Sequence, residues 1–138
     1  GDNRSRYVRF ISISKNDRIT IRTCSIIDIW WSNIINKSIN ITMIKGFNSS
    51  IFINGGVEGI LIYHAVGKDY RVYDRNCSYE PSLACSVIDT VISGIAYCSC
   101  CTSAFNLNSN GEAINAPALL PLKSYNWSLD NNLLRIFN

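Results

Sequence analysis

Three of the six cysteines in this chain fall within four positions of one another, in the stretch CSCCTSAF at residues 98–105. With Cys24, Cys77 and Cys85, these thiols can do three kinds of chemistry: close disulfides, ligate a soft metal, or exchange redox equivalents. An even cysteine count reads as up to three disulfides in an oxidising compartment and as a metal site in a reducing one. Cys98-x-x-Cys101 has zinc-ribbon spacing, but Cys77 and Cys85 stand too far apart to complete a ribbon. Thiol exchange needs a helix N-terminus to lower a thiol pKa, and the segment after Cys101, TSAFNL, reads as strand or loop. Cys100 and Cys101 are adjacent, so in an extended segment only one of them faces a shared site.

Other reactive side chains point to no second chemistry. His64, the only histidine, alternates with apolar neighbours in LIYHAV, and no nucleophile frames it. Asp69, Asp74 and Glu80 are dispersed and make no acid–base pair. We therefore expect no catalytic residues and no enzyme. Trp30-Trp31 reads as core anchoring, and Gly55-Gly56 as a turn or bulge with no helix behind it to cradle a phosphate.

The elements that must position the cysteines are short β-strands. Alternation marks RYVRFISIS (6–14), RITIRTCSI (18–26), SIFIN (50–54), GILIYHAV (59–66), DYRVYDR (69–75) and NLLRIFN (132–138). Gly67-Lys68-Asp69 predicts a hairpin between two of them. One helix is predicted over 27–35, weakened by its β-branched isoleucines. The fold class is all-β, a sandwich or partly open barrel.

At 138 residues the chain is long enough to bury a core as one domain. Charged residues make up 17%, and the net charge of +3 is spread without runs, which argues against a nucleic-acid partner. The most apolar stretch, 25–44, is broken by Asp28, Asn33, Asn36, Lys37 and Asn40, too polar for a membrane span. The start GDNRSRYVRF has no apolar signal region; a signal removed upstream stays compatible with this start.

Two cysteine boxes, YDRNCSYEPSLACSV (73–87) and YCSCCTSAF (97–105), precede NGEAINAPALLPLKSY (110–125) and a last strand. This order resembles the Rieske iron–sulfur family, whose boxes read C-x-H and C-x-C-H-G-S-x-F or C-x-x-H-x-S-x-F, before a proline-bearing tail. Cys77 and Cys98 fall on the two cysteine ligands, and Ser103 and Phe105 on the residues after the second box. Gly111, Pro117-Ala118, Pro121-Leu122 and Tyr125 fall on the tail. The match spans roughly residues 50–138. The resemblance implies a Rieske-like fold of small stacked antiparallel sheets, with a cysteine-bearing loop subdomain at about 76–105 and family-divergent strands over 1–49.

The departures carry the functional argument. A Rieske [2Fe–2S] centre takes two cysteines and two histidines. Tyr79 stands at the first histidine position and Cys101 at the second, so a histidine-ligated cluster is ruled out by ligand count. Thr102 replaces the glycine after the second ligand, which predicts that the loop loses part of its unusual backbone geometry. By the resemblance, Cys85 and Cys100 are candidates for the bridge that joins the two loops in some family members. Cys77 with Cys101 could form a second bridge and Cys24 with Cys98 a third. The favoured expectation is a degenerate Rieske-like module with no cofactor, disulfide-stabilised and exported, such as an envelope lipoprotein of a bacterium with a protein partner. The competing expectation is an electron-transfer protein that keeps a [2Fe–2S] cluster, or a structural zinc site, on Cys77, Cys98 and Cys101. Its fourth ligand would come from Cys85, Cys100 or Tyr79.

Overall fold

A computed structural model of the chain describes the backbone of residues 8–13 and 19–24 and the whole of residues 35–138. Its internal contacts divide the chain into two units, residues 1–34 and 35–138. In the first, β1 (Val8–Ile13) and β2 (Ile19–Cys24) form an antiparallel hairpin with Val8 opposite Cys24 and Ile13 opposite Ile19. The predicted helix over 27–35, Ile35 apart, and the Trp30-Trp31 pair lie outside the described residues.

The second unit is all-β. In chain order it contains β3 (Asn36–Asn40), β4 (Ser49–Ile53), β5 (Ile60–His64), β6 (Tyr70–Asp74), β7 (Thr90–Ile92) and β8 (Ile95–Tyr97). β9 (Ala104–Asn106), β10 (Glu112–Asn115), β11 (Asn126–Asp130) and β12 (Leu133–Phe137) follow. A single 3-10 turn, Ile41–Met43, follows β3, with the Asn40 side chain accepting from the Thr42 N–H. No helix among the described residues is long and apolar enough to cross a membrane.

Three antiparallel sheets result, ordered β11-β12-β3, β4-β5-β6 and β10-β9-β8-β7. The β4-β5-β6 sheet feeds both cores, and β5 shows why. Its Leu61 and Tyr63 join Tyr73, Cys77, Ile88, Cys98, Phe105 and Leu122 in one buried cluster. Ile60 and Ile62, on the other face, join Val72, Tyr125, Leu134 and Ile136 in a second. A strand segment buried on both faces must be almost wholly apolar, and ILIY is, with the partly exposed His64 at its end. β12 is buried on one face only, so Leu134 and Ile136 are inside while Leu133, Arg135 and Phe137 are exposed. The predicted 67–69 hairpin is the β5-β6 connection, with Ala65 and Asp69 closing it by an N–H···O bond of 2.8 Å.

Below the cysteine loops sits a buried carboxylate. Asp74, 1% exposed, ends β6 and accepts hydrogen bonds from the Val57, Glu58 and Asn76 N–H groups and from the Tyr125 hydroxyl. Gly56 lies against it with φ +62°. A Cβ there would stand 2.3 Å from the Asp74 carboxylate, so this turn admits only glycine.

Candidate metal centre

The first cysteine loop leaves β6 and returns to the sheet through one antiparallel bridge, Asn76 opposite Val87. The Cys77 N–H donates to the Ser86 carbonyl at 2.8 Å, and the Ser86 hydroxyl donates to the Tyr79 carbonyl at 2.7 Å, so the loop is closed on itself. The second loop joins β8 to β9. The Cys98 N–H donates to the Ser103 carbonyl and the Thr102 N–H to the Cys98 carbonyl, at 3.0 and 2.8 Å. The tail segment, 116–122, holds both. Its Ala118 N–H donates to the Ser103 hydroxyl at 3.0 Å, and its Leu120 carbonyl accepts from the Ser78 hydroxyl at 2.6 Å.

Cys85 and Cys100 are joined as a disulfide with Cα atoms 5.6 Å apart, which ties one loop to the other. Cys77, Cys98 and Cys101 carry free thiols. Their three sulfurs all lie within 4.8 Å of one another, and Cys77 Sγ is 3.5 Å from Cys101 Sγ. Cys77 and Cys98 are buried, whereas Cys101 is half-buried. The Cys101 thiol donates to the Ser103 hydroxyl oxygen at 3.1 Å.

This placement corrects three expectations. Cys77 and Cys101 face each other but are not bridged. Cys98 is free, so no third bridge joins it to Cys24, whose side chain lies outside the described residues. Cys85 and Cys100 hold each other and are not spare ligands. Thr102 corrects a fourth, because it keeps a left-handed φ of +64°. The turn geometry outlasts the glycine, held by the hydrogen bonds of Thr102 and by the Asn115 side chain, which donates to the Thr102 carbonyl at 2.8 Å.

The environment sorts the thiols. Burial pushes the Cys77 thiol up to about 12, helped by hydrogen bonds with Cys101 and Cys98 and opposed by one from the Tyr79 backbone. Burial also acts upward on Cys101. There it is outweighed by hydrogen bonds from Ser103, Cys98 and Cys77, which hold the thiol below its ordinary value. Of these two thiols Cys101 is the readier to ionise, and a metal ion would supply the countercharge for bound thiolates.

Tyr79 is partly exposed, two residues beyond Cys77. His64 has its Nε2 2.6 Å from the Gly67 carbonyl oxygen and stacks on Tyr70 at 4.5 Å. Ser103 and Asp74 were legible to different degrees. Ser103 sat inside the second box, while nothing in YRVYD marked Asp74 as the acceptor of four hydrogen bonds.

No protein-family model and no curated protein sequence matches the chain. Solved structures do, and they define the class: the fold is Rieske-like. One similar chain comes from the complex of reduced oxygenase and oxidized ferredoxin in carbazole 1,9a-dioxygenase. It is 14% identical, with a TM-score of 0.57 over 77% of this chain and 94% of that one. Another is the ferredoxin of carbazole 1,9a-dioxygenase from Nocardioides aromaticivorans IC177, 13% identical, with a TM-score of 0.55 over 72% of this chain and 93% of that one. A histidine-ligated [2Fe–2S] group does not fit these residues. The chain has one histidine, and its ring is engaged at the end of β5. The three-cysteine group is a donor set that could hold a metal ion.

Proposed function

We propose that the protein is a non-catalytic metal-binding module of Rieske-like fold, its metal held by Cys77, Cys98 and Cys101. The observation that carries this reading is the convergence of three free sulfurs within 4.8 Å of one another, on the two loops that meet at the tail segment. Structural likeness to ferredoxins supports electron transfer to a protein partner as the role of such a module when its metal is redox-active. The loop region 76–105 is the site-bearing part of the proposed single domain. Export to an oxidising compartment such as a cell envelope belongs to the same proposal. The Cys85–Cys100 bridge supports it, because disulfides persist where thiols are not kept reduced.

Metal analysis of the protein purified without chelator under nitrogen tests the reading. We expect a stoichiometric transition metal in the wild type and its loss in Cys77→Ser. Thiols that stay metal-free after incubation with zinc, copper and iron salts overturn it.

A further inference from the structure

We infer that the three cysteines take one soft d10 cation, Zn(II) or Cu(I), in a single-ion site rather than a two-iron cluster. The inference rests on the metal-binding reading above and names the class of its metal. Donor count is the first reason. The ordinary all-cysteine cluster takes four thiolates. The Cys85–Cys100 bridge removes two, and among the described residues no carboxylate or imidazole joins the remaining three.

Spacing is the second reason. With metal–sulfur bonds of about 2.3 Å, thiolates on one tetrahedral ion lie about 3.8 Å apart. Here all three sulfurs fall within 4.8 Å of one another, and the Cys77–Cys101 pair at 3.5 Å. A two-iron cluster divides its protein ligands between two metal atoms and so spreads them further. The donor set is also wholly sulfur, which selects thiophilic ions over hard ones.

Support around the donors agrees. The Ser103 hydroxyl lies 3.1 Å from Cys101 Sγ and receives the Ala118 N–H. Once Cys101 is a thiolate, that hydroxyl can turn its own hydrogen toward the sulfur and orient it, as outer-shell partners of metal ligands do. A cavity of about 450 Å³, lined by Val57, Pro81, Leu122 and Cys77 among others, borders the group at Cys77. Cu(I) is satisfied by three thiolates. Zn(II) takes a fourth donor, and the half-buried Cys101 marks the side from which water can supply it.

The full 138-residue chain with its disulfide intact is titrated anaerobically with Co(II), Zn(II) and Cu(I) in separate arms, and a fourth arm offers ferrous iron with sulfide. We expect Co(II) to give thiolate-to-metal charge-transfer bands that saturate at about one equivalent and are erased by zinc. Copper bound at one equivalent, with cobalt and zinc excluded, assigns the three-coordinate form. Ser103→Ala lowers zinc affinity about 10- to 100-fold. Should a cysteine variant not fold, wild type still answers, because one bound ion protects Cys77, Cys98 and Cys101 together from alkylation. Uptake of two irons and two sulfides per chain on these cysteines overturns the single-ion inference and leaves the metal-binding reading standing. No binding in any arm overturns both.

Discussion

The Tyr125 hydroxyl donates to the Asp74 carboxylate at 2.6 Å, across 51 positions of sequence. Asp74 also accepts from the Asn76 N–H, the residue before Cys77, so this one contact ties the C-terminal tail to the root of the first cysteine loop.

Removing the acceptor should be costly. Asp74→Ala strands three backbone N–H groups and one hydroxyl, and each buried unsatisfied group costs about 1–3 kcal/mol. We expect a loss of at least about 3 kcal/mol in urea unfolding, against about 1–2 kcal/mol for Tyr125→Phe, which leaves the carboxylate its three N–H donors.

The same pair sets an alkaline limit. Burial first, then the hydrogen bond to Asp74 and its charge, raise the folded pKa of Tyr125 above the ordinary tyrosine value. The folded protein therefore binds more protons than the unfolded chain above pH about 10, and stability falls as pH rises through that window. Unfolding midpoints measured from pH 8 to 11 should drop less steeply in Tyr125→Phe than in wild type. Parallel curves would refute the assignment.

Thr102 holds a left-handed φ of +64° with an exposed side chain. The conformation costs a β-branched residue roughly 1–2 kcal/mol, part of which glycine returns as chain entropy in the unfolded state. Thr102→Gly should raise stability by about 0.5–1 kcal/mol. A loss of stability in the same unfolding assay would show that the threonine makes contacts that outweigh its strain.

Opening the inter-loop bridge should loosen the site before it unfolds the fold. Cys85→Ser with Cys100→Ser frees a closure of separation 15, worth about 3 kcal/mol in the chain-entropy model. We expect that loss in denaturant titration. Metal affinity should fall with it, because two independent loops must then be ordered at binding.

How much of this could be read from residues alone depended on where the determining contact lay. β5 and β12 were legible because burial on two faces, or on one, writes itself directly into ILIYH and LLRIF. β3 was not, since NKSIN is mostly exposed and is held in place by backbone pairing to β12. The three-residue strands β7, β8 and β9 are too short to display a period. In the site, the resemblance placed Cys77 and Cys101 at facing positions, but whether two facing sulfurs are bonded depends on distances that no spacing encodes. Asp74 stayed hidden for a similar reason: its donors come from turns and a tail 2 to 51 positions away.

The Cys85–Cys100 link also encloses the whole β7-β8 hairpin, including the Ser93-Gly94 turn, in a covalent ring. A protease that cuts at that turn would leave a nicked molecule whose two pieces migrate as one until a reductant is added. Damage at this tip would thus be silent on a non-reducing gel, and the fragments' partners would stay side by side long enough to keep their grip on whatever ion they share.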